Sequence, residues 1–152
     1  MIIPSSATTL SSRVIPFPVE AVWKVIKTLD FKFWSLVKST EMKSGCHPNE
    51  VGGMRTIYFK DGTTSVYQMA ELSDLHHFVT WELVESEPSL QVMSSSSTLR
   101  LRRVTHDNST FIEWTTYFPS ADTTANAVED AKYKHDLAFK DLMDYMKQHS
   151  TA

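Results

Sequence analysis

Apolar residues along this chain follow two periods, and the change from one to the other divides it. From Thr8 to Phe118 they alternate in short segments bounded by turn residues, the pattern of half-buried strands. From Asp122 to His149 they recur every three or four positions, with no glycine or proline between. Val128, Ala131, His135, Ala138, Leu142 and Met146, with Phe139 beside them, make the apolar stripe of one long helix.

The first region resolves into elements. Thr8 to Ile15 reads as a strand, ended by Pro16-Phe17-Pro18. Pro18 suits the first turn of a helix, where its missing N–H costs nothing, and Val19, Val22, Trp23, Ile26 and Leu29 keep helical spacing, which predicts a helix over Pro18 to Leu29. The aromatic run Asp30 to Ser35 is expected to form a second short helix. Strands are predicted at Val37–Lys43, Met54–Lys60, Thr64–Leu72, Phe78–Val84, Gln91–Val104 and Thr110–Phe118. Asp61-Gly62 between two of them signals a hairpin with a type I′ turn. The order is strand, two short helices, six strands, long helix: an α+β layout with a seven-stranded antiparallel sheet, in a single domain spanning 1–152. A lone helix after such a sheet buries its stripe most simply if the sheet curls around it, and a curled sheet gripping a helix leaves a hollow for a small molecule.

Composition narrows the function. Net charge is −3 with no basic stripe, which argues against nucleic acid as a partner. The single cysteine, Cys46, excludes an intramolecular disulfide framework and fits a cytoplasmic, reducing setting. No secretory signal is evident, and no apolar run has the roughly 20 residues of a membrane span, so membrane insertion is not expected. Gly52-Gly53 lacks a following Lys-Ser/Thr and opens no helix, so it is not a phosphate loop. Its expected role is a lip over a pocket, with Phe33 and Trp34 as the opposite lip. Cys46-His47 are adjacent in a loop and do not make a catalytic pair, and His76, His77 and His106 lack metal-ligand spacing, so neither metal nor cofactor is expected.

The segments PVEAVWKVIKTLDFKFW (Pro18 to Trp34), VGGMR (Val51 to Arg55), FKDGTTSVYQMAELSD (Phe59 to Asp74), FVTWEL (Phe78 to Leu83), TLRLRRV (Thr98 to Val104) and FIEWTTYF (Phe111 to Phe118) come in an order and spacing that resembles the Bet v 1-like (START/SRPBCC) superfamily. Within it, the chain is most similar to the polyketide cyclase/dehydrase and lipid-transport group, which includes lachrymatory factor synthases and plant abscisic acid receptors. The resemblance implies a helix-grip fold around a cavity for a hydrophobic ligand: a lipid, sterol, polyketide or isoprenoid-like molecule. The fold serves carriers, sensors and enzymes alike, so a metal-free cyclase, dehydratase or isomerase is the alternative. A weak homodimer or a ligand-gated protein partner at the Gly52-Gly53 lip is a further expectation. In the group an arginine follows the glycine turn, matching Arg55, and a glutamate sits on the next strand. Here that position is Tyr67, a departure that weakens a synthase-like proton transfer; Glu71 lies four residues on.

If Arg55 points inward, so by period two do Ile57 and Phe59; Tyr67 then shares a face with Met69. Trp81 shares a face with Val79 and Leu83, Ser95 and Ser97 with Leu99 and Leu101, and Trp114 with Ile112 and Phe118. These positions, with Val128, Ala131 and His135 of the long helix, form the candidate ligand-binding wall. Each has two readings. The aromatics either pack the core or line a pocket, the serines either bond neighbouring strands or a ligand, and Arg55 either orients a ligand or holds its head in water at the barrel mouth. His135 is either a bonded core histidine or a polar anchor. The candidate catalytic groups are Arg55, Tyr67, Glu71 and His135.

Overall fold

The computed structural model describes residues 7–87, 95–118 and 124–149, and side chains over 8–87, 95–118 and 128–149. In chain order it contains β1 (Ala7–Ile15), α1 (Val19–Ile26), β2 (Val37–Met42), β3 (Met54–Phe59), β4 (Thr64–Ser73), β5 (Phe78–Glu87), β6 (Ser96–Val104), β7 (Ser109–Phe118) and α2 (Thr124–His149). The strands form one curved antiparallel sheet in the order β1-β7-β6-β5-β4-β3-β2. The α+β architecture expected from the pattern is therefore present. The expected start of β6 at Gln91 falls outside the described residues.

One short helix stands where two were expected. The backbone turns left-handed at Leu29, with φ of 53°, and again at Phe31, with φ of 51°. Neither residue can continue a right-handed helix from there. So α1 stops at Ile26, and Asp30 to Ser35 forms turns that push Phe31 inward. The Asp61-Gly62 hairpin also differs from the type I′ turn. Only Gly62 has positive φ, at 92°. Gly62 N–H donates to the Phe59 carbonyl at 3.1 Å, and Phe59 N–H to the Thr63 carbonyl at 2.9 Å. That is a type I turn closed by a glycine bulge, and the Asp61 carboxylate stabilises it by accepting from Thr63 N–H at 2.8 Å.

The core lies between the concave face of the sheet and the helices. Ile57, Met69, Val79, Leu99 and Ile112 come from the strands, and Phe139, Leu142 and Met146 from α2. On β7, Ile112, Trp114, Thr116 and Phe118 are buried, as alternation requires. α1 is tied to the β4–β5 turn: Trp23 Nε1–H donates to Asp74 at 2.8 Å, and Lys27 pairs with the same carboxylate at 3.3 Å. The segment after α1 is held against α2, since Ser35 N–H donates to the Asp141 carboxylate at 2.8 Å.

Candidate functional site

The site begins with Phe31. Its ring meets Phe33, Trp34, Tyr67, Trp81 and Trp114 at centroid distances between 5.6 and 6.3 Å. Nothing in the sequence marks it out, because a short aromatic run has no period and a left-handed backbone leaves no apolar pattern. Phe33 and Trp34, expected as an outer lip, are instead buried beside it.

Around Phe31 the structure brings together most of the sequence candidates. Tyr67 lies 6.1 Å from Trp81, Trp81 lies 5.7 Å from Trp114, and the His135 ring stacks on Trp114 at 3.9 Å. Ile57 and Met69 are fully buried, and Met69 is the register partner of Trp81. Val128 and Ala131, half-buried, precede His135 along α2. Ser95 is half-buried just ahead of β6 and contributes its carbonyl to the sheet, accepting from Leu83 N–H at 3.0 Å.

Register aligns a polar row across the concave face. Thr9 on β1 pairs with Thr116 on β7, Thr116 with Ser97 on β6, and Ser97 with Trp81 on β5. The Ser97 and Thr116 hydroxyls share a hydrogen bond of 2.9 Å. The Thr9 hydroxyl is buried without a partner. Thr9 could have been found only by knowing which strand lies beside β7.

Glu71 stands apart from this group, whereas Arg55 joins it as the cross-strand partner of Tyr67. Glu71 is exposed: a register shift between Met69 and Glu71 breaks the alternation that would have turned it inward. Arg55 is 1% exposed, far from a head held in water. Its Nη1 donates to the Thr28 carbonyl and its Nη2 to the Pro48 carbonyl at 3.0 Å, while Nε has no partner. Burial pulls its pKa below the ordinary arginine value, and nearby Asp30 opposes that. The guanidinium thus ties the segment after α1 to the loop after β2. That loop is closed rather than loose. Gly52 N–H donates to the Met69 carbonyl at 2.7 Å, and Met69 N–H donates to the Gly53 carbonyl at 3.0 Å. A Cβ on Gly53 would meet the Glu50 carbonyl at 2.9 Å.

The interior polar groups are electrically quiet. Burial, helped by the Lys134 charge, pushes His135 down to about 4, against a weaker pull from Asp130. The ring is neutral at pH 7, and its Nδ1 has no partner. Burial pushes the Tyr67 phenol up to about 12. The indole N–H groups of Trp34 and Trp114 are also buried and unpaired. Among the described residues no group of acidic, histidine or cysteine side chains could hold a metal, and no helix is long and apolar enough to cross a membrane.

Together these features define an α+β protein with a curved antiparallel sheet, a long carboxy-terminal helix and an aromatic interior holding unpaired polar atoms. Solved structures share the frame. A protein from Nitrosospira multiformis is 26% identical, with a TM-score of 0.78 over 91% of this chain and 94% of that one. An uncharacterized protein from Bacillus thuringiensis is 21% identical, with a TM-score of 0.78 over 91% of this chain and 98% of that one. The protein XoxI from Bacillus cereus is 19% identical, with a TM-score of 0.80 over 96% of this chain and 99% of that one. No protein-family model matches the chain, and no curated protein does.

Proposed function

We propose that this protein holds a hydrophobic small molecule between its concave sheet and α2, as a carrier or sensor, in the manner of the Bet v 1-like, START/SRPBCC superfamily it resembles. The observation that carries the proposal is the set of unpaired polar atoms at Trp34 Nε1, Trp114 Nε1 and His135 Nδ1, buried around one indole. Leaving such a group unpaired costs about 1–3 kcal/mol, and folded proteins retain few of them. A guest that pairs with them accounts for the concentration. Tyr67 adds support. Burial raises its phenol to about 12, yet its side chain is only partly closed off. Open surface on a group so deep is what a side chain facing an internal hollow would have.

The same groups weigh against a metal-free cyclase, dehydratase or isomerase. A general acid or base works best with a pKa near the working pH. His135 at about 4 and Tyr67 at about 12 each hold one protonation state at neutrality. Glu71 lies outside, and Arg55 is committed to two carbonyls. The free Cys46 suits a reducing compartment such as the cytoplasm.

Native mass spectrometry of freshly purified protein tests the proposal. The expected spectrum contains a second species, heavier by one lipophilic compound, that reverts to the bare chain on activation. A bare chain alone, combined with no uptake from a mixture of lipophilic compounds, would end it.

A further inference from the structure

The indole N–H groups of Trp34 and Trp114 narrow the class of guest. Both are buried with no acceptor. An indole N–H donates and cannot accept, so its complement is an oxygen or nitrogen lone pair. A saturated acyl chain or hydrocarbon ring system offers none along its length. The surrounding rings add shape. Trp34 and Trp81 meet Trp114 edge-on at 5.5 and 5.7 Å, and Phe31 lies nearly parallel to it, at 16°. His135 stacks on Trp114 at 3.9 Å, so a guest meets this cluster mainly at ring edges, and a wall of rigid rings favours a flat π system over a flexible chain. Charge narrows it again. Arg55, the cross-strand partner of Tyr67, already donates to the carbonyls of Thr28 and Pro48.

We infer that the guest is a flat, neutral aromatic compound whose carbonyl oxygen accepts from the indoles of Trp34 and Trp114. This rests on the interior binding proposed above and deepens it. An aromatic ketone fits the description; a fatty acid does not.

Fluorenone and fluorene differ by one carbonyl on the same tricyclic frame, so they isolate the acceptor. Calorimetric titration with these two and with palmitic acid gives the ranking. The four tryptophan indole N–H signals of isotope-labelled protein show which donors are engaged. Fluorenone is expected to bind at least about tenfold more tightly than fluorene, each of the two hydrogen bonds contributing several-fold. The Trp34 and Trp114 indole signals should move downfield with fluorenone and not with fluorene. Trp34→Phe should narrow the gap in affinity between fluorenone and fluorene, whatever it does to the binding of both. If a tryptophan variant fails to fold, the wild-type indole signals decide. Equal binding of the two tricycles, unmoved indoles, or palmitic acid displacing fluorenone would overturn the ligand class and leave interior binding standing. Binding of none of the three, together with a bare chain in native mass spectrometry, would bring down interior binding itself.

Discussion

The imidazole of His135 lies face to face on the indole of Trp114, with centroids 3.9 Å apart and planes 13° apart. A neutral ring suits this position: charge would have to be buried among aromatics with Nδ1 unpaired. The stack therefore makes folding sensitive to acid. The folded pKa is about 4 against an ordinary 6.5, so between those values the unfolded chain binds the extra proton. The contribution is whole above pH 6.5 and is lost as pH falls toward 4. From pH 7 to pH 5 it amounts to about 2 kcal/mol. Urea unfolding at the two pH values should show His135→Phe losing less stability than the wild type by that difference. Equal losses would mean that the ring titrates normally in the fold.

Arg55 is expected to matter for the fold before it matters for any ligand. Each hydrogen bond from a charged donor contributes about 1.5–3 kcal/mol, and a guanidinium can reach two separated carbonyls where an ammonium cannot. Arg55→Lys should therefore lose about 2–3 kcal/mol although the charge is kept. Amide exchange should quicken in both segments that the side chain bridges, around Thr28 and around Pro48. Unchanged exchange in either segment would show that the bridge is not what orders it.

Phe31 fills the centre of the aromatic cluster from a segment held in place by Arg55 and Asp141. Truncating a buried phenylalanine typically costs about 3–5 kcal/mol, and an apolar cavity stays dry and takes up small aromatics. Phe31→Ala should lose stability in that range and bind benzene more tightly than the wild type does, measurable by calorimetry. A loss under about 1 kcal/mol with no tighter benzene binding would mean that neighbouring rings collapse into the space.

What could be read from the sequence follows from the range over which each signal acts. Alternation on β7 and the stripe on α2 are local, and they place Trp114 and His135 inside, where both are buried. Phe31 leaves no such mark, because its position depends on left-handed backbone at Leu29 and Phe31, which neither leucine nor phenylalanine signals. Period two from Tyr67 would turn Glu71 inward, but a bulge reverses parity without changing composition. The partners of Arg55 are carbonyls of remote loops, and any residue supplies a carbonyl, so no motif records them. Thr9 joins the hydroxyl row only through the β1–β7 pairing, which is non-local.

Thr9 offers a test in which stability and binding move in opposite directions. Its hydroxyl is buried and unpaired at the end of the row completed by Ser97 and Thr116. Valine keeps the β-branched shape that a strand favours and removes the unpaired oxygen. Thr9→Val should then stabilise the empty protein by about 1 kcal/mol, the lower end of the cost of an unpaired buried group. If a guest bonds to that hydroxyl, the same substitution weakens its binding several-fold. Thermal unfolding with and without the co-purified compound separates the two: the variant should unfold at a higher temperature when empty and gain less from ligand. Lower stability of the empty variant would show that the Thr9 hydroxyl already has a partner, such as an enclosed water.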